Sequence, residues 1–128
     1  MVRIYLTLAA LAWLPYGLYL LFLPEELLAI AGIAATDGAA TTELRAMYGG
    51  LQVGIGVLCV AALLRERFAV PVLGMSAVLT GGLFSGRLIG IFTDAGALDA
   101  YNMAALAFEA VACAGAAWLA TRSVDAID

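Results

Sequence analysis

Arg87 and Glu109 place a cation and a carboxylate inside otherwise apolar runs, and Arg45, Tyr48, Gln52 and Tyr16 fall at comparable depth in two further runs. Side chains of these types support three kinds of chemistry. A guanidinium and a carboxylate can pair, guanidiniums can hold the anionic or polar head of an amphipathic molecule, and a carboxylate kept from water can move a proton. An ionised group at the centre of a membrane helix costs roughly 2.5–3.5 kcal/mol on insertion scales, which makes such residues candidates for function by default. The alternative is a packing device, in which buried polar groups only hold helices together.

The spacing supports a shared site. Arg45, Tyr48 and Gln52 are three and four apart, as are Thr80, Phe84 and Arg87, so each trio lies on one helical face. Asn102 and Glu109 are seven apart, and Tyr16 and Tyr19 three apart. At a rise of about 1.5 Å per residue, Arg45, Tyr48, Gln52, Arg87 and Glu109 lie roughly 3–14 Å below one membrane boundary. The least costly arrangement sets Arg87 against Glu109, with Gln52 and the tyrosines satisfying the remaining donors and acceptors. The expected ligand-binding set is therefore Arg45, Tyr48, Gln52, Arg87, Glu109 and Tyr16, with no catalytic residue. Tyr19 and Trp118 read as interface-belt aromatics.

The elements that must position these residues are four apolar stretches, roughly 3–23, 43–64, 68–92 and 100–121. Each is long enough to cross the ~30 Å hydrocarbon layer as a helix. With 65% hydrophobic and 12% charged residues, there is too little polar surface to cover a water-facing globule. The fold class expected is all-α: one domain over 1–128, an integral membrane four-helix bundle in up-down-up-down order. Arg3 and Ala10-Leu11-Ala12 resemble parts of a signal peptide, but the apolar run continues to Leu23, so an uncleaved first membrane helix is expected. Pro15 predicts a kink in it.

Arg3, Arg65, Arg67 and Arg122 flank the ends on one side; Glu25, Glu26, Asp37, Glu43, Asp94 and Asp99 flank the other. The positive-inside rule then puts both termini in the cytoplasm. Pro24-Glu25-Glu26 followed by Leu27, Leu28, Ile30 and Gly32 predicts a short external interfacial helix with a glycine stop. Thr41 or Thr42 is the expected cap of the second long helix. Gly50 and Gly54, and Gly82, Gly86 and Gly90, form small-xxx-small rows that predict close helix contacts, within the chain or with another protomer.

All six cations are arginine and there is no histidine, which excludes a histidine-based metal site or triad; no cofactor is expected, and no basic run suggests nucleic acid. Cys59 and Cys113 lack CxxC spacing and read as apolar packing residues, with a disulfide as the alternative. The heavy use of Ala, Gly, Leu, Val and Arg suggests a GC-rich bacterial genome and hence a bacterial inner membrane.

Glu43-Leu44-Arg45-Ala46-Met47-Tyr48-Gly49-Gly50-Leu51-Gln52 resembles the E-x-R-A-x-Y-G-G-x-Q signature of an uncharacterised bacterial family of small four-helix membrane proteins, a domain of unknown function. The resemblance covers nearly the whole chain. Gly86-Arg87-Leu88 and Glu109 sit where that family's helix 3 arginine and helix 4 glutamate belong. The family is distantly similar to DoxX-like four-helix proteins, which implies a fold but no activity. Asp94-Ala95-Gly96 departs from the compact Asp-Gly pair expected after the third helix.

These observations rank four roles. The first is a membrane-embedded binding module whose partners are membrane lipids or an amphipathic small molecule. The second is an accessory subunit of a larger membrane complex or a homo-oligomer. The third is a lipid or terpenoid isomerase with Glu109 as the proton carrier. The fourth is a channel or transporter, which four short helices could form only by assembling.

Overall fold

The computed structural model describes residues 1–124, and among them every regular element is helical. The order is α1 (Val2–Phe22), a 3-10 turn (Pro24–Glu26), α2 (Leu27–Ala31), α3 (Gly38–Leu44), a π-helical turn (Arg45–Gly50), α4 (Leu51–Leu64), a 3-10 turn (Glu66–Phe68), α5 (Ala69–Thr93) and α6 (Ala100–Val124). Four helical stretches are long and apolar enough to cross a membrane: Val2–Phe22, Gly38–Leu64, Glu66–Thr93 and Ala100–Ser123. Of the ten carboxylates in the sequence, Asp125 and Asp128 lie outside the described residues.

The chain divides into two compact units. One comprises Leu6–Arg65, the other Met1–Tyr5 with Glu66–Asp128. In the Leu6–Arg65 unit, α1 and α4 run antiparallel with their backbones in near contact. A Cβ added to Gly17 would lie 2.7 Å from the Val53 nitrogen, one on Gly49 2.6 Å from the Leu21 Cα, and one on Gly56 2.8 Å from the Leu14 Cβ. Glycine here removes the atom that would hold two helices apart, the device by which membrane helices approach in the absence of a hydrophobic drive between them. The glycines at this seam are Gly17, Gly49 and Gly56, not the expected Gly50 and Gly54. Gly54 has no neighbour within 4 Å of the Cβ position, and Gly50 meets only the Arg45 carbonyl, at 3.8 Å.

The expected short helix after the first span is present. Pro24 and Leu27 are buried, and Gly32 ends α2 in the left-handed conformation (φ 70°). Its N–H donates to the Leu28 carbonyl at 3.0 Å, and the Ile33 N–H to that of Leu27 at 3.2 Å. Pro15 lies within α1 without ending it.

The second long helix begins earlier than residue 43, and its cap is Asp37 rather than Thr41 or Thr42. The Asp37 carboxylate accepts the Ala40 N–H at 2.8 Å. Both threonine hydroxyls instead donate back to carbonyls four residues earlier, at 2.9 Å, which is how these residues settle inside a helix. The helix then passes through the π turn, where the Leu51 N–H reaches the Ala46 carbonyl. One extra residue in a turn offsets everything beyond it by roughly 100° relative to a continuous α-helix.

In the other unit α5 and α6 are also antiparallel, joined by a turn in which Gly96 takes φ 85°. The buried stripe of α5 runs Val72, Leu73, Ser76, Thr80. Across it, the Cys113 thiol donates to the Ala77 carbonyl at 3.3 Å and sits 3.2 Å from where a Gly81 Cβ would be. The start of the chain belongs here too: the Tyr5 hydroxyl donates to the Ala112 carbonyl at 3.0 Å. Gly82 and Gly86 have nothing within 4 Å of the Cβ position, and Gly90 meets only the Asp94 side chain, so this row makes no close helix contact among the described residues.

Candidate functional site

The α5 stripe continues by helical spacing from Thr80 to Arg87, and α6 carries Glu109 on the face that also buries Ala116 and Leu119. The antiparallel pairing therefore brings cation and carboxylate together. Arg87 Nε donates to Glu109 Oε1 and Oε2 at 3.2 and 3.1 Å, and Nη2 donates to Oε1 at 2.8 Å. The guanidinium thus presents one edge to the carboxylate, the geometry in which an arginine pair is strongest and most directional.

Its other edge is held as well. Nη1 donates to Asn102 Oδ1 at 2.7 Å. Asn102 Nδ2 donates to Asp99 Oδ2 at 3.0 Å, while Asp99 Oδ1 caps α6 by accepting the Asn102 N–H at 2.8 Å. The Tyr101 ring centroid lies 5.6 Å from the guanidinium carbon, within cation–π range. The result is a hydrogen-bonded chain from the exposed α5–α6 turn down to a buried carboxylate.

Burial within the pair is unequal. The Glu109 side chain is 4% exposed, the Arg87 side chain 21%. The carboxylate is almost completely covered, and the guanidinium beside it keeps about a fifth of its side chain exposed. Glu109 is poorly placed as a general base, since its oxygens are buried and already accept from Arg87, whereas a base must come within about 3 Å of the proton it removes.

The remaining expected residues belong to the Leu6–Arg65 unit. Arg45 Nη1 donates to the Leu21 and Phe22 carbonyls, capping the end of α1. That satisfies carbonyls left open at a helix terminus and engages one edge of the guanidinium. Tyr48 is half-buried on the π turn. Gln52 lies beyond that turn, with its Cβ against Gly17 and its Oε1 buried without a hydrogen-bond partner. Tyr16 is half-buried on α1. The one-face reading of Arg45, Tyr48 and Gln52 assumed continuous α geometry, which the π turn interrupts.

Sequence reasoning noted Asn102 on the Glu109 face but did not place it in the site, and it missed Asp99 and Tyr101. A signal existed for Asp99: an Asp three residues before an Asn, at the start of an apolar helix, is a cap pattern. Neither cysteine is in a disulfide; Cys59 is fully buried in one unit and Cys113 packs in the other.

A family model matches residues 1–120, and its description is a domain of unknown function, DUF4345. No curated protein and no solved structure matches the chain.

Proposed function

The chain belongs to DUF4345, a family defined as a domain of unknown function, and we propose that it is a multi-pass protein of the bacterial inner membrane that binds an amphipathic molecule through the Arg87–Glu109–Asn102 cluster. In this reading the four long helices cross in up-down-up-down order with both termini cytoplasmic. The short α2 lies on the outer face, and Arg87 opens toward the outer half of the bilayer.

The observation that carries the reading is the unequal burial of the ion pair, 21% for Arg87 against 4% for Glu109. Interhelical polar contacts in membranes average about 0.6 kcal/mol, so a neutral pair would serve as well for packing alone. A partly exposed guanidinium fixed by Glu109 and Asn102 offers a directional donor to a carboxylate, phosphate or carbonyl head, while the apolar helices accept its chain. Glu109 acts as the counter-ion that makes the site tolerable in lipid when empty.

Mass spectrometry of the protein released from mild detergent, with extraction of its lipids, tests this. The unaltered protein should retain a defined amphiphile, and Arg87→Leu/Glu109→Leu should lose it while remaining folded. Equal retention by both proteins, or none by either, overturns the reading.

A second reading is an accessory or self-associating subunit, favoured by the open Gly82 and Gly86 positions on α5, where another helix can approach closely. A stable lone monomer in mild detergent would argue against it.

A further inference from the structure

The end of the Met1–Tyr5 and Glu66–Asp128 unit remote from Arg87 carries charges that the proposed amphiphile site does not use. Because α5 and α6 are antiparallel, the start of α5 lies beside the end of α6, which brings Arg67 and Arg122 to one end. Arg3 joins them, since its guanidinium lies 3.9 Å from the Glu66 carboxylate. Among the described residues, that end of the unit thus carries Arg3, Arg67 and Arg122 together with Glu66. The other end of the hairpin carries Asp94 and Asp99.

Two of these arginines are arranged in the same way. The Arg122 guanidinium carbon lies over the Trp118 ring, 4.7 Å from its centroid, and that of Arg67 over the Phe68 ring, 4.8 Å from its centroid. A cation–π contact of this kind uses up none of the guanidinium's N–H donors. Among the described residues neither guanidinium has a hydrogen-bond partner. Trp118 and Phe68 are themselves 43% and 36% exposed. Both rings lie at the end of helices apolar enough to cross a membrane, the level at which aromatic side chains meet lipid headgroups.

We propose that Arg67 and Arg122, each stacked on its aromatic neighbour and supported by Arg3, form a binding face for the phosphodiester heads of anionic membrane phospholipids. The planar edge of a guanidinium matches two phosphate oxygens, and an anionic head adds a charge that zwitterionic heads cancel. The position of the patch at the edge of the apolar helices makes a lipid, rather than a soluble phosphate, its occupant. A basic residue near an anionic bilayer surface strengthens attachment roughly fivefold. This face lies at the opposite end of the hairpin from Arg87, so it can fail or stand independently of the proposed amphiphile site.

The test uses this chain with Trp13→Phe, leaving Trp118 as its sole tryptophan, in vesicles containing brominated lipids that quench indole fluorescence. Brominated phosphatidylglycerol should quench at several-fold lower mole fraction than brominated phosphatidylcholine. The preference should vanish in Arg67→Gln/Arg122→Gln and persist in Asp94→Asn. Added salt should weaken it in the otherwise unaltered protein, an arm that stands even if the double variant does not fold. Equal quenching by both lipids, a preference that survives the double substitution or is indifferent to salt, or displacement by millimolar glycerol phosphate each overturns the proposal.

Discussion

Each of the two compact units pairs two long antiparallel helices, and each pair is held by a different device. In Leu6–Arg65, α1 and α4 meet backbone to backbone: at Gly17, Gly49 and Gly56 an added Cβ would lie within 2.6–2.8 Å of the facing chain. In the other unit, α5 and α6 meet through side chains: a buried carboxylate gripped by a guanidinium, an asparagine bridging to a cap, and a thiol on a carbonyl. Lipid is as apolar as leucine, so helices gain nothing by hiding leucine from it. What remains is close dispersion contact, which needs small residues, or polar contact, which needs partners. The glycine contacts themselves carry no side chain to desolvate, although Gln52 beside Gly17 buries an Oε1 with no hydrogen-bond partner. The ionic seam carries a desolvation cost that only full pairing offsets, which makes it the more vulnerable of the two to a single change.

The largest effect should therefore come from breaking the ion pair on one side. Glu109→Leu leaves the Arg87 charge uncompensated, and removing one partner of a buried pair costs about 3–5 kcal/mol. Thermal unfolding in mild detergent should show a large loss. Arg87→Leu/Glu109→Leu should recover most of it, because no charge is then left buried. If the double variant is as unstable as the single, the seam depends on the polar contacts themselves and the contrast between the units collapses.

Next in size is the glycine seam. Gly49→Ala and Gly17→Ala each drive a methyl into backbone atoms at 2.6 and 2.7 Å, which cannot move aside as a side-chain tip can. Overpacking of this kind costs about 1–3 kcal/mol. Gly54→Ala, in the same helix but with open space around it, is the matched control and should be silent in the same melting experiment. Equal losses at Gly49 and Gly54 would show that helix propensity or lipid contact, not close approach, sets the values.

What the sequence made legible follows the same division. Spans and the Arg87–Glu109 match were readable because hydropathy and i, i+3, i+4 spacing act within an α-helix, and both α5 and α6 are regular. The Gly32 stop was readable because only glycine enters the left-handed region at no cost. The glycine seam was not: two rows of small-xxx-small spacing stood out, while the working positions, Gly49 and Gly56, are seven apart with a π turn beginning before them. A π turn has no composition cue, and it shifts the side chains beyond it. Arg45 was read as a ligand clamp because its charge is conspicuous. That it reaches the carbonyls at the end of α1 depends on where α1 ends relative to the π turn, a tertiary fact. DUF4345 brings no activity, so the ligand of the Arg87 cluster is argued from geometry alone.

Arg45 offers a smaller and more specific test, because it is a polar contact inside the glycine-seamed unit. Arg45→Gln removes the donation to the Leu21 and Phe22 carbonyls and should cost about 1 kcal/mol, the usual net worth of a hydrogen bond. Hydrogen exchange of the last turn of α1 should quicken, while the Arg87 side should not respond. A loss as large as that of Glu109→Leu would place a second buried ionic seam where the present contrast has none.

The smallest expected effect is the most informative about assembly. Gly82 and Gly86 lie one turn apart on α5 with open space at both Cβ positions, so alanine there meets no other element among the described residues. Helix propensity alone favours alanine over glycine by about 1 kcal/mol in water. The isolated protein carrying Gly82→Ala/Gly86→Ala should thus melt at the same temperature as the unaltered protein or slightly above it. The comparison sharpens when the same variant is sized in mild detergent and crosslinked in membranes. If a second copy or another membrane protein uses this face as α1 uses α4, two methyls in the seam should shift the complex toward monomer while the melting point holds. Unchanged assembly at unchanged stability would leave the row as a lipid-facing surface and confine backbone-to-backbone glycine packing to the unit formed by α1 and α4.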